Sequence, residues 1–124
     1  AIGLGTALDY MDNVGRASIA AHEASLLEYA NERLSQINSL KIFGTSPGKG
    51  AIISFAMEGA HAHDISTVID RHGVAVRAGT HCAMPLLQKF GVTATCRASF
   101  GMYNNTADVD RLAAALTSAH KMFM

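Results

Sequence analysis

One cysteine and two arginines in the second half of the sequence are of types that could act together in a reaction. Cys82 lies in the segment VRAGTHCAMPL, residues 76–86, where a glycine-containing loop is predicted to enter a helix. The positive end of the helix dipole and the neighbouring Arg77 and His81 favour the thiolate, which is the nucleophilic form of cysteine. Arg97 lies in a predicted strand, and its planar guanidinium matches a carboxylate. These residue types predict a sulfur nucleophile that meets a substrate bearing a carboxylate.

The residue types alone leave a plainer interpretation open for both groups. A lone cysteine is more often a small inert hydrophobic residue, and an arginine in a strand more often pairs with an acid on the surface. Side chains alternate along the predicted strand 95–100, so Cys96 is expected to face the core and Arg97 the opposite side. A disulfide between Cys82 and Cys96 is a further alternative, which fits poorly with a reducing compartment.

Two other patterns predict ordinary structure rather than a binding site. His61 and His63 are ligand types that zinc accepts, but neither cysteine has a second cysteine or histidine two to four residues away in the usual pairing pattern. No metal site is therefore expected, and the two histidines should cap or pack at the start of a helix. The glycine-rich run at residues 44–50 lacks the spacing of a phosphate-binding loop and the Ser or Thr after its lysine, so it is predicted to be a hairpin loop.

The composition is that of one small domain without a strong electrostatic preference. The 124 residues carry 10 Lys and Arg against 10 Asp and Glu. The chain therefore lacks the excess of cations expected of a protein that binds nucleic acid or an anionic membrane. Two cysteines and no cationic-then-apolar leader favour a reducing, cytoplasmic setting. Because the chain starts with Ala1 and runs directly into a helical pattern, it is expected to be part of something longer.

Hydrophobic periodicity predicts a mixture of helices and short strands over residues 1–124. The expected fold is a small α/β domain, α+β-like in character, in which helices cover one small sheet. Helices are predicted at residues 2–14, in a longer segment after Gly15 with an apolar stripe from Ile19 to Ile37, at 64–72 with Asp64 as the cap, at 83–90, and from the cap Thr106 to 123. Strands are predicted at 41–43, 51–56, 74–78 and 95–100.

Two segments of the sequence carry a family resemblance: RAGTHCAMPL around Cys82 and TCRASFGMYN at residues 95–104, and residues 1–10 and 63–65 also match. They resemble the C-terminal part of SufS-type cysteine desulfurases, the second class of NifS-like enzymes within the aminotransferase class V family. The resemblance covers essentially the whole chain. It implies the small C-terminal domain of a fold-type I pyridoxal 5'-phosphate enzyme, with the large cofactor domain lying outside these residues.

The resemblance also implies roles for the cysteine, arginine and histidine residues singled out above. Cys82 matches the nucleophile that takes sulfur from L-cysteine as a persulfide and releases L-alanine. Arg97 matches the arginine that binds the substrate carboxylate, while Arg77 is implied only as electrostatic support and His81 as a supporting residue. Because the cofactor lysine and phosphate-binding groups belong to the large domain, no cofactor-binding residue is expected here and the fragment alone is expected to be inactive.

The short connection from Gly79 to Cys82 resembles the second class of these enzymes. Because a short loop cannot carry sulfur far, the family resemblance implies a SufE-like acceptor that feeds iron–sulfur cluster assembly. The resemblance also implies a homodimer of the full-length enzyme. Thr80 and Met84 depart from the common His and Gln of the motif, which weakens any inference about proton transfer in the loop. The alternatives are a selenocysteine lyase, a cysteine sulfinate desulfinase, or a non-enzymatic module that binds a persulfide or a metal.

Overall fold

The computed structural model describes residues 1–124 in full, with five helices and four strands. In chain order these are α1 (Ile2–Val14), α2 (Arg16–Ser35), β1 (Leu40–Phe43), β2 (Ile52–Met57), α3 (Ala62–Asp70), β3 (Arg77–Gly79), α4 (Met84–Phe90), β4 (Thr95–Ser99) and α5 (Thr106–Phe123). None of the helices combines the length and the apolar character needed to cross a membrane.

The four strands form a single antiparallel sheet in the order β1-β2-β4-β3. β1 and β2 are joined as a hairpin, which confirms the predicted role of the glycine-rich run at residues 44–50. After β2 the chain crosses through α3 to the far edge, and only then returns to insert β4 between β2 and β3. The strand that carries Cys96 and Arg97 is therefore paired on both sides.

Helices α2, α3 and α5 pack on one face of this sheet, here called the inner face, and enclose the core. Cys96 and Ala98 of β4 point into this core, as predicted from the strand alternation. The molecule is thus a two-layer domain with one apolar core, which confirms the predicted fold class. The largest side chains that are completely or almost completely buried are Phe55, Leu34, Ile53, Ile65, Ile69, Leu116 and Val109.

The opposite face of the sheet, called the outer face, carries the arginines. Cross-strand register places Phe43, Ser54, Arg97 and Arg77 in one row, because directly paired residues share a face. The ring of Phe90, the last residue of α4, lies 5.2 Å from the ring of Phe43, centroid to centroid. This contact holds the end of α4 against the outer face, where no other helix covers the arginines' row.

Helix α1 is attached to the domain mainly through α2. It buries none of its residues, and Ile2, Leu4 and Tyr10 are among its exposed apolar side chains. Gly15 separates the two helices with a φ of 102°, a conformation that a residue with a Cβ rarely adopts. The predicted break at this glycine is confirmed.

Some element boundaries predicted from the sequence are wrong for local reasons. The cap of α3 is His61, whose Nδ1 accepts a hydrogen bond from the backbone N–H of His63 at 3.2 Å, so Asp64 lies in the first turn instead. The strand expected at residues 74–78 is shifted towards the C-terminus: β3 spans Arg77–Gly79, because only these three residues pair with β4.

The cap of the last helix is Asn105, where Thr106 was expected. The side chain of Asn105 accepts from the backbone N–H of Asp108, and the Asp108 carboxylate accepts from the backbone N–H of Asn105, both at 3.1 Å. This reciprocal pair satisfies two backbone donors that the helix itself leaves free. The bond from the Asn105 N–H, with a second from the Asn104 side chain, also lowers the pKa of Asp108, because both favour the charged carboxylate.

We expect Asn105→Ala to destabilise the domain by about 1 kcal/mol, the usual cost of losing an N-cap, with a fall in Tm of roughly 4 °C. Thr106→Ala is the matched control, because the Thr106 side chain makes no capping bond, and its Tm should stay close to the original value. Thermal unfolding followed by circular dichroism measures both. Equal losses in the two variants would contradict the assignment of Asn105 as the cap.

Candidate active site

Two arginines face each other directly across adjacent strands on the outer face. Arg77 of β3 pairs with Arg97 of β4 in the antiparallel register. Like charges in this position repel, so the pairing is unfavourable by itself. The two ion pairs of the structure lie elsewhere, at Arg16 with Asp12 and on α2 and α5, and neither involves these guanidinium groups. The row therefore carries two positive charges without an acidic partner, which is suited to binding an anion.

Arg97 is half-buried, and its Nε atom is buried without any hydrogen-bond partner. A buried donor without an acceptor is costly, and native structures rarely leave one unexplained. A carboxylate is the acceptor that best fits a guanidinium, because its two oxygens match the fork of N–H groups. The geometry thus supports the predicted carboxylate-binding role of Arg97 and leaves Arg77, which is exposed, in a supporting electrostatic position.

Ser54 is a neighbour of Arg97 that the sequence did not reveal. It pairs with Arg97 across β2 and β4 and is half-buried on the outer face. Its hydroxyl extends the polar row away from Arg77. Only the strand register could have identified it, because the two residues lie far apart in the sequence.

Cys82 lies in a tight turn with an unusual backbone. The N–H of Ala83 donates to the carbonyl of Thr80 at 2.9 Å, and the two central residues, His81 and Cys82, have φ values of 54° and 58°. They are the only residues other than glycine with positive φ in the chain. Turns of this kind normally use Asn, Asp or Gly, because a side chain in the left-handed region costs about 1 kcal/mol or more. Such strain is common at functional sites.

The turn is tied to the sheet by His81. Its Nε2 lies 3.0 Å from the backbone carbonyl oxygen of Thr95, the first residue of β4. A carbonyl can only accept, so Nε2 carries the proton and donates it. Thr95 precedes Arg97 by two residues on the same face, a separation of about 7 Å along a strand. The structure therefore brings the Cys82 turn to the first residue of β4, the strand that carries Arg97.

Thr95 is more buried than its position on the outer face of the sheet would suggest. Alternation places it on the outer face beside Arg97, yet only 3% of it is exposed. The sequence pattern predicted an outward-facing residue without predicting this cover. The His81 ring contacts the backbone carbonyl of this same residue.

The two cysteines have opposite environments. Cys82 is exposed and free, and it precedes α4 by two residues, with Ala83 as the cap between them. Cys96 is fully buried on the inner face, where its thiol donates to the carbonyl of Ala62 at 3.3 Å. Burial raises the pKa of Cys96 to about 11, because a thiolate is disfavoured without water. The predicted core role of Cys96 is confirmed, and Cys82 is the accessible thiol.

The histidines near α3 behave as helix-capping residues. His61 caps the helix, and the rings of His61 and His63 stack with their centroids 5.3 Å apart. The predicted capping and packing role is therefore confirmed. No group of three or more His, Cys, Asp or Glu side chains is arranged to hold a metal ion.

The site is an open face rather than an enclosed pocket. A cavity of about 630 Å³ lies between α2 and the hairpin loop, and another of about 370 Å³ lies between the end of α2 and α5. Neither is lined by Cys82 or Arg97. A small-molecule substrate is usually buried for most of its surface, so this face needs a second surface to enclose one.

Comparisons with known proteins identify a family and individual relatives that are similar to this chain in sequence. Residues 1–112 match the model of the aminotransferase class V family. A probable cysteine desulfurase of Xylella fastidiosa (strain 9a5c) is 48% identical over 121 residues, which are 98% of this chain and 29% of that protein. The cysteine desulfurase of Haloferax volcanii is 43% identical over 124 residues, covering 98% of this chain and 29% of that protein.

The comparison with solved structures identifies the same kind of protein as the comparison of sequences. The crystal structure of the cysteine desulfurase CsdA (S-sulfonic acid) from Escherichia coli aligns with a TM-score of 0.90 at 33% identity, covering 99% of this chain and 30% of that chain. The predicted resemblance to cysteine desulfurases and the predicted fold are both confirmed. The chain spans less than a third of the length of these relatives.

We expect iodoacetamide to alkylate Cys82 in the folded chain and to leave Cys96 unmodified at neutral pH. Cys82 is exposed, whereas Cys96 is buried and has a pKa of about 11. Mass spectrometry of the digested protein locates the modification, and Cys82→Ser should remove nearly all of it. Unfolding in guanidinium chloride is the control, because it should make both thiols reactive. Rapid modification of Cys96 in the folded chain would contradict the assigned environments.

Proposed function

This chain belongs to the aminotransferase class V family, and we propose that residues 1–124 form the C-terminal small domain of a pyridoxal 5'-phosphate-dependent cysteine desulfurase. The proposed substrate is L-cysteine, whose sulfur becomes a persulfide on Cys82 while L-alanine is released. One observation carries the proposal: a strained turn presents the exposed Cys82 beside the strand on which Arg97 holds a buried, unpartnered Nε atom.

In this proposal Arg97 binds the substrate carboxylate. Its guanidinium has no acidic partner in the chain, and its buried Nε needs an acceptor. A carboxylate bound here would also relieve the repulsion between Arg97 and Arg77 across the two strands. Binding at one end of the substrate directs the other end, which carries the sulfur, along the outer face towards the Cys82 turn.

Cys82 then acts as the nucleophile. Its thiolate attacks the substrate sulfur, an Sγ–S bond forms, and the carbon–sulfur bond breaks with its electron pair remaining on the carbon. Protonation of that carbon gives alanine, and the sulfur stays on Cys82 as the outer atom of the persulfide. Pyridoxal phosphate, when bound, supplies the electron sink that makes such a bond to carbon breakable.

In this proposal the cofactor is held mainly by residues outside this chain. Of the four lysines, Lys41 lies over the ring of Phe43 at 5.3 Å and Lys49 donates to the carbonyl of Gly44 at 2.8 Å. The other two lie in the last turns of α4 and α5. No lysine is placed beside Arg97 in the polar row, so the lysine and phosphate-binding groups are assigned to the part of the enzyme that the longer relatives have in addition.

The finer assignments follow from how firmly the turn is held. Cys82 cannot swing far from the sheet, because its turn is closed by one backbone bond and tied to β4 by His81. We therefore assign the chain to the SufS type, with a SufE-like acceptor that collects the sulfur at the site for iron–sulfur cluster assembly. A homodimeric, cytoplasmic enzyme is part of the same proposal.

A chimera tests the function directly. In it, this chain replaces the matching 30% of the Escherichia coli enzyme, and the purified protein is supplied with pyridoxal phosphate. We expect alanine formation from L-cysteine, and a loss of about 10³-fold or more for Cys82→Ser, since it removes the nucleophile. Cys96→Ala is the control and should keep the activity. The 124-residue chain alone should form no alanine.

Retained alanine formation in the Cys82→Ser chimera would overturn the nucleophile assignment. Selenocysteine should be assayed in parallel with cysteine. If the variant loses cysteine turnover but keeps selenocysteine turnover, the selenocysteine lyase alternative gains support. Stoichiometric metal in the purified chain would instead favour the non-enzymatic binding module.

Arg97→Lys and Arg77→Lys in the same chimera separate the two arginines. We expect Arg97→Lys to raise the KM for cysteine about tenfold or more, because an ammonium cannot form the paired bonds of a guanidinium. Arg77→Lys keeps the charge and should change KM little, since Arg77 is exposed and acts through its charge. Steady-state alanine formation gives both constants. A larger KM effect at Arg77 than at Arg97 would reverse the assigned roles.

A further inference from the structure

His81 is the residue that connects the strained turn to the rest of the molecule. Within the turn, one backbone hydrogen bond joins Ala83 to Thr80, and both central residues are in the left-handed region. Residues other than glycine stay in that region only when their surroundings hold them there. The bond from His81 Nε2 to the Thr95 carbonyl, at 3.0 Å, is a side-chain contact that leads from the turn to the sheet.

The contacts of the His81 imidazole determine which of its two nitrogens carries the proton. Its Nε2 donates to a carbonyl, so the proton is on that nitrogen. Its other nitrogen, Nδ1, is buried and has no hydrogen-bond partner. The Nδ1–H tautomer would place the Nε2 lone pair against the carbonyl, and a ring turned the other way would place a C–H group there. One ring orientation with a proton on Nε2 therefore satisfies the contact.

We propose that His81 is a positioning residue for Cys82: its bond to Thr95 holds the turn in the left-handed conformation and keeps the Cys82 Sγ at the Arg97 end of the outer face. The inference rests on the proposed function of Cys82 as nucleophile. His81 acts through the backbone of the turn and needs no contact with substrate.

Two substitutions of His81 test its hydrogen bond to Thr95 separately from the backbone strain of the turn. Asn tolerates the left-handed region better than most residues, so His81→Asn keeps the turn geometry accessible but lacks the reach to Thr95. His81→Gln retains a side-chain N–H donor with greater reach. His22→Asn is the matched control, because His22 Nε2 contacts a different backbone carbonyl, that of Asn104, at 2.7 Å.

Amide hydrogen exchange in the 124-residue chain measures the hold on the turn without any need for activity. We expect His81→Asn to speed exchange at the Ala83 N–H several-fold, up to about tenfold, as for the loss of one hydrogen bond. His81→Gln should restore slow exchange, and His22→Asn should leave Ala83 unchanged. Unchanged exchange at Ala83 in His81→Asn overturns the proposal.

A second measurement on the unsubstituted chain does not depend on any variant folding. Nitrogen-15 NMR of the His81 ring should show the Nε2–H tautomer with a slowly exchanging ring proton. A ring protonated on Nδ1 alone, or a rapidly exchanging Nε2 proton, overturns the proposal.

Activity of the chimera then separates this inference from the proposed function. We expect His81→Asn to lower kcat for alanine formation while the KM for cysteine stays the same, because the carboxylate contact at Arg97 is intact. Rescue of kcat by His81→Gln supports positioning. If exchange at Ala83 responds as expected but Cys82→Ser remains active, the proposed function fails while the hold of His81 on the turn stands.

Discussion

The pairing of β4 with both β2 and β3 is the constraint on which the rest of the structure depends. Because side chains alternate along this strand, the register places Cys96 in the core and Arg97 on the outer face. A slip of one residue would bury a guanidinium among apolar side chains and expose the buried thiol. The apolar core beneath the sheet therefore specifies which face presents the positive charge.

Several unfavourable features gather at one end of that face. Arg77 and Arg97 repel each other across two strands, Arg97 Nε is buried without an acceptor, and two residues of the Cys82 turn are left-handed. Each costs free energy in the chain by itself, and the rest of the fold shows few comparable departures. The well-packed inner layer stabilises the domain enough to tolerate them. A bound carboxylate and a fixed nucleophile would together account for all three features.

Much of the architecture follows from patterns that act over short distances. The bounds of α1 and the inward face of β4 were predictable, because periodicity and alternation are local. The caps of α3 and α5 were not, since His61 and Asn105 compete with equally plausible neighbours and the choice depends on the exact start of the helix. The Arg77–Arg97 pair, the place of Ser54 and the cover over Thr95 depend on register between distant segments, which a single sequence does not specify.

The separation of the two cysteines has a consequence for the fate of any sulfur held on Cys82. The chain contains only two thiols, and the second is sealed in the core with its hydrogen directed at the Ala62 carbonyl. There is no internal resolving thiol that could displace the outer sulfur by forming a disulfide within the domain. Under the proposed function, a persulfide here would be kinetically trapped until a thiol from outside this domain arrives, so the domain would store sulfur and the acceptor would set the time of its release.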